Sequence, residues 1–201
     1  MKHEGHEEHE GRDSNVRSFA SLFFVFFVSF VFPAFSHAQQ KIDASKSQIR
    51  FVSKQMGVAV EGVFRKFDGT VAFDPARPQA AKADIEVALG SIDLGDAESE
   101  TEVKRPLWFD TGKFPGAKFT LAALKPAGAN KYEASGTLTI KGISKDIVAP
   151  VTLAESGGQR TLEGQFTLKR LQFRIGEGQW SDTETVADDV LVRFRFVIPA
   201  R

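Results

Sequence analysis

The stretch spanning residues 135–153, SGTLTIKGISKDIVAPVTL, constrains the fold most. Leu138 and Ile140 alternate with Thr137, Thr139 and Lys141. After residues 142–145, alternation resumes with Ile147, Ala149, Val151 and Leu153. Two period-2 runs about a Gly-containing turn predict an antiparallel hairpin with one apolar face. Such a face has to be covered, by another layer of the protein or by something the protein holds.

The same alternation recurs along the chain. Residues 47–53 predict a strand with Ile49 and Phe51 on one face. In residues 58–73, Val58, Val60 and Phe64 share one parity and Phe67, Val71 and Phe73 the other. That one-residue shift predicts a bulge in one long bent strand. Pro75 and Pro78 mark a turn. Residues 83–89 place Ile85, Val87 and Leu89 inward, and residues 118–123 place Phe119 and Leu121 inward. A turn is expected over residues 126–130, then Tyr132 leads into the hairpin. Leu162, Phe166 and Leu168, and later Val190, Val192, Phe194, Phe196 and Ile198, complete the pattern. The expectation is all-β: eight antiparallel strands in a barrel or sandwich, with one or two short helices. An eight-stranded barrel is just wide enough to be filled by side chains or to hold one small ligand. Gly62, Gly69, Ala134, Gly136, Ala149 and Gly164 fall on the inward face and are expected to leave space there.

Two segments break the alternation. Residues 96–104, DAESETEVK, predict a helix capped by Asp96, with Glu98 and Glu100 in its first turn. Leu107, Trp108 and Phe109 follow it, as a plug over the core or a lid over a ligand. Residues 181–184, SDTE, fit a capping box for a short helix through Val186.

Composition closes off most chemistry. The 201 residues carry 26 basic and 26 acidic side chains, which gives no basic surplus for nucleic acid. There is no cysteine, and the four histidines, His3, His6, His9 and His37, all fall early. Residues 19–35 are an almost unbroken apolar run, preceded by Arg12 and Arg17 and followed by Ser36-His37-Ala38. This pattern is that of a signal peptide cleaved before Gln39. An uncleaved anchor is the alternative. The domain is then residues 39–201, after a leader and signal peptide of residues 1–38. The leader is acidic, which suits a true start at Val16 better than one at Met1. Without residues 1–38 the chain has neither His nor Cys. That leaves no ordinary transition-metal site, no histidine acid–base catalysis and no Met/His haem ligation around the remaining Met56. Gly176-Glu177-Gly178 lacks the third glycine and the βαβ setting of a dinucleotide site. Asp188 and Asp189 are adjacent, so on a strand they point to opposite faces. Glu98, Glu100 and Glu102 are expected to form a solvated helix face. The pattern is that of a container more than a catalyst.

Several pieces together resemble one known family. They are TLTIKGISKDIVAPVTL, the preceding SIDLGDAESETEVKRPLWFDTGKFPGAKF, and the closing FRIGEGQWSDTETVADDVLVRFRF. The chain resembles the YceI-like family from about Lys41 to Ile198. The resemblance implies an extended lipocalin-like barrel in the bacterial periplasm. It implies an apolar cavity for a polyisoprenoid, an isoprenoid quinone or a fatty amide, with no further cofactor. It also implies a stress-response setting, a b561-type membrane cytochrome as partner and possible homodimers. Where many members carry a histidine and an aspartate, this chain has Glu102 and Leu107. The expected ligand-binding set is Phe51, Phe64, Phe67, Val71, Phe73, Leu107, Trp108, Phe109, Phe119, Leu121, Leu138, Ile140, Phe166, Phe173, Trp180, Phe194 and Phe196, many of them serving as core as well. No catalytic and no metal residue is expected. The alternatives are an enzyme acting on such a lipid through carboxylates or Tyr132, and an interaction module with a filled core.

Overall fold

Eleven strands form one antiparallel sheet in the computed structural model, which describes residues 39–200. The signal-peptide, leader and Val16 expectations, with His3, His6 and His9, lie outside the described residues. The strands are β1 (Gln40–Lys41), β2 (Gln48–Gln55), β3 (Val58–Phe64), β4 (Phe67–Ala72), β5 (Lys82–Ala88), β6 (Ile92–Asp93), β7 (Gly116–Gly128), β8 (Lys131–Ile140), β9 (Ile143–Ser156), β10 (Gln159–Lys169) and β11 (Asp189–Pro199). One α-helix, α1 (Ala97–Val103), interrupts them. The sheet order is β1-β4-β5-β7-β8-β9-β10-β11-β2-β3-β6.

The strand count is eleven, not eight, for two reasons. The expected long strand of residues 58–73 is cut at Arg65 and Lys66, where the parity shift lies. The two-residue strands β1 and β6 carry no alternation long enough to read. The cut also shapes the sheet. β3 pairs with β2, whereas β4 pairs with β5, near the other end of the strand order. Two residues join them, so the sheet curls round until its two ends meet through the chain itself. Arg65 is ion-paired with Asp93 of β6, and Lys66 accepts a hydrogen bond from Ala88 N at 2.9 Å.

Hairpin turns set the registers. Lys141 (φ 49°) and Gly142 (φ 73°) form a two-residue turn between Ile140 and Ile143. Two successive positive φ values give the twist that flanking strands need. The turn is therefore tighter than residues 142–145, and β9 begins at Ile143. Met56 (φ 48°) and Gly57 (φ 79°) do the same between β2 and β3. The turn expected over residues 126–130 is shorter, because β7 runs on through Pro126 to Gly128. β7 pairs with β5 only as far as Thr120, so Pro126 has a strand on one side only and its missing N–H goes unneeded. The expected helix through Val186 is absent. Asp182 instead accepts from Glu184 N at 3.0 Å and Thr185 Oγ1 at 2.6 Å, a local turn that competes with helix.

One seam of the sheet is only half closed. β9 and β10 pair from Ser156↔Gln159 to Val151↔Gly164 and no further. Beyond that point β9 stays with β8 and β10 with β11. Pro150, with no N–H to give, stands where the ladder stops.

The inward glycines do not leave empty space. A Cβ on Gly62 would strike the Phe51 ring, one on Gly136 the Phe119 ring, and one on Gly164 the Phe194 ring. Each ring lies over a glycine on a neighbouring strand, a pairing that restores packing where a side chain is missing. Gly164→Val is expected to force Phe194 off the wall and to destabilise the fold by about 1–3 kcal/mol, read by denaturant unfolding.

Candidate functional site: an apolar cavity

A cavity of about 770 Å³ runs through the curled sheet. Its volume is in the range of small-molecule sites. The wall is built from alternate residues of the strands, among them Ile49, Phe51, Ile85, Leu138, Ala149, Leu162 and Phe196. Of the expected set, Phe51, Phe64, Val71, Phe73, Trp108, Phe109, Phe119, Leu121, Leu138, Ile140, Phe166, Trp180, Phe194 and Phe196 line it.

Phe67, Leu107 and Phe173 do not. Phe67 packs edge-on against Phe196 at 6.1 Å, and the Phe196 ring takes the place on the wall. Phe173 is 1% exposed in a buried cluster with Leu168 and Ile175. Leu107 is 42% exposed, and its carbonyl accepts from Gly176 N and Glu177 N, both at 2.8 Å. The Leu107-Trp108-Phe109 run is therefore divided: Leu107 faces outward while Trp108 and Phe109 face the cavity.

Alternation along strands found most of the wall. It missed the polar residues at the rim. Asp96, Glu98, Ser99, Thr101, Glu102 and Arg105, in and beside α1, border the cavity with Ser53 and Gln55 of β2. Glu98 and Glu102 thus border the cavity, where only solvent was expected. The helix is fixed at its start by Asp96, which accepts from Ser99 N at 2.8 Å. Hydrogen bonds from Ser99, its hydroxyl first and then its N–H, hold the Asp96 carboxyl below its ordinary range. Glu100 reaches back to Leu94 N at 3.2 Å, and Glu102 pairs with Arg105 at 2.9 Å. A helix placed by sheet register has no period-2 signature, so its orientation was not readable.

The segment after β10 is organised by Arg170. This side chain is 2% exposed and borders the cavity. Its Nε donates to Ala187 O at 3.1 Å. Nη1 donates to Ile175 O (2.9 Å) and Gly176 O (2.8 Å), and Nη2 to Trp180 O (2.7 Å) and Val186 O (2.7 Å). All five guanidinium donors are used on backbone carbonyls. Burial lowers its pKa, and Asp188 opposes that shift. The Asp188 carboxylate also accepts from Leu171 N at 2.9 Å. Asp189 pairs with Lys169 at 2.8 Å, and Asp188 reaches the same lysine at 4.0 Å. Trp108 lies against the guanidinium at 5.9 Å and against Trp180 at 5.6 Å.

Lys141, at the tip of the β8–β9 hairpin, fastens the same end. Its Nζ donates to Arg174 O at 2.6 Å and Pro106 O at 3.1 Å. Burial lowers its pKa, while Glu177 and Asp110 act the other way. The free ends of the half-closed seam are thereby tied to the segments carrying Trp108 and Arg170.

At the opposite end Tyr132 is buried against Phe73 at 5.3 Å and is part of the core, away from the α1 rim. Arg160 donates to Glu155 at 2.6 Å and to Phe73 O at 3.0 Å nearby. Among the described residues no group of three or more His, Cys, Asp or Glu is placed to hold a metal ion.

Residues 40–198 match the model of the YceI-like domain. The chain belongs to that family. A UPF0312 protein of Pseudomonas savastanoi pv. phaseolicola is 34% identical over 131 residues, covering 62% of this chain and 68% of the relative. The crystal structure of BcnA of Burkholderia cenocepacia is 42% identical with a TM-score of 0.76, covering 78% of this chain and 98% of that one. A polyisoprenoid binding domain from Saccharophagus degradans matches at TM-score 0.65 with 18% identity, covering 81% and 98%, a likeness of fold alone.

Proposed function

We propose that this YceI-like domain binds and sequesters, or carries, an isoprenoid-type lipid in its cavity, within a lipocalin-like barrel exported to the periplasm. The observation that carries this reading is the wall itself. A cavity of about 770 Å³ lined by Phe, Leu, Ile, Val and Ala, with its charged residues confined to Arg170 and to the segment in and beside α1, suits a long apolar chain. Burial of such a chain is worth roughly 0.8 kcal/mol per methylene-sized group. Affinity then needs little polar recognition. The Saccharophagus degradans domain of the same fold is a polyisoprenoid binding domain, which supports the same choice of ligand. A bound isoprenoid quinone would suit a membrane cytochrome of the b561 type as partner, and a homodimer is compatible with this role.

The test is a chain-length series of prenols bound to the delipidated domain. Affinity is expected to climb steeply with each added isoprene unit and then level off once the cavity is full. Affinity independent of length would overturn the reading. Turnover of any of these lipids would favour an enzyme instead.

A further inference from the structure

Three buried side-chain polar atoms lack a hydrogen-bond partner among the described residues: Gln40 Oε1, Trp108 Nε1 and Trp180 Nε1. The two indoles are neighbours, with ring centroids 5.6 Å apart, and both rings border the cavity. They are also the only tryptophans in the chain. Buried donors are almost always satisfied, so two adjacent exceptions call for a physical account. Their surroundings sharpen it. Arg170 lies behind Trp108 as a buried cation with all five donors spent on carbonyls. This part of the wall therefore holds two unpaired N–H donors beside a buried cation. The rest of the strand-built wall is almost wholly apolar.

We propose that Trp108 and Trp180 form a subsite for an acceptor oxygen on the ligand's head group, with Arg170 as the positioning residue that holds the loop and biases the potential. The chemistry recognised is a carbonyl-type oxygen, as on a quinone or an amide. The proposal rests on the reading of the cavity as a lipid site. Water does not reach either indole nitrogen in this structure, so occupancy requires the rings to turn toward the lumen that they already border. An oxygen acceptor would repay that turn, because a buried donor without a partner is costly to leave so.

The test uses the delipidated full domain labelled with ¹⁵N. It has two indole N–H resonances, one per tryptophan. Three probes of similar chain length are added in turn: an alkyl 1,4-quinone, a fatty primary amide and an alkene hydrocarbon. The expected result is that the quinone and the amide move both indole protons downfield, whereas the hydrocarbon shifts methyl signals of the wall and leaves the indole protons in place. Agreement between quinone and amide assigns the effect to the shared oxygen; a response to one alone would identify that head group as the source. Trp108→Phe and Trp180→Phe should each weaken the oxygen-bearing probes about fivefold more than they weaken the hydrocarbon. Methyl shifts without indole shifts would overturn the subsite and leave the cavity reading standing. No shift with any probe would overturn both.

Discussion

Arg170→Met is expected to cost about 3 kcal/mol or more of folding stability and to loosen the segment between β10 and β11. The guanidinium ties together carbonyls of residues 175, 176, 180, 186 and 187. Methionine fills much of the volume but leaves five carbonyls to find other donors, each buried acceptor left unmet being worth about 1–3 kcal/mol. Part of that loss is offset because the buried charge, itself unfavourable, also disappears. Denaturant unfolding measures the net effect. Hydrogen exchange at Gly176 N and Glu177 N, which bond Leu107 O, should speed up with it. Wild-type stability in the variant would show that the segment is held by its apolar contacts alone.

The second large effect concerns the lumen. Ala149 lies on the wall, on β9 opposite Ala134 of β8. Ala149→Phe projects a ring into the lumen between them. Prenyl-lipid affinity is expected to fall by at least tenfold, since each methylene-sized group displaced forfeits roughly 0.8 kcal/mol. Overpacking the site should lower stability by only about 1–3 kcal/mol. A folded variant that binds lipid as tightly as before would mean that the ligand lies elsewhere.

What was legible in the sequence follows from periodicity. The hairpin of residues 135–153 is there, with Tyr132, Ala134, Gly136, Leu138 and Ile140 paired to Val151, Ala149, Ile147, Lys145 and Ile143. Alternation reports which way a side chain points, so the wall was largely readable. It does not report how neighbouring rings share the wall, which is why Phe67, packed edge-on against Phe196, was read as lining the cavity. It carries nothing about irregular segments. Phe173 sits in a 3-10 turn, Arg170–Phe173, where period 2 has no meaning. Leu107 belongs to a chain reversal after α1, where apolar character alone did not separate it from Trp108 and Phe109. Arg170 was invisible for a related reason. An arginine at a strand end reads as exposed, and only the tertiary fold brings five carbonyls around it. The inward glycines were read as vacancies, whereas their purpose depends on the phenylalanine across the ladder. A strand pattern shows the glycine but not the register that sets Phe194 over Gly164.

The most direct measurement is of what the protein already holds. The domain is purified natively from its host without detergent, extracted with organic solvent, and the extract quantified by mass spectrometry. The account predicts an isoprenoid-tailed lipid at close to one molecule per chain, and its loss from the Ala149→Phe variant. An extract with no lipid, from a protein that also takes up none when delipidated and challenged, would contradict it.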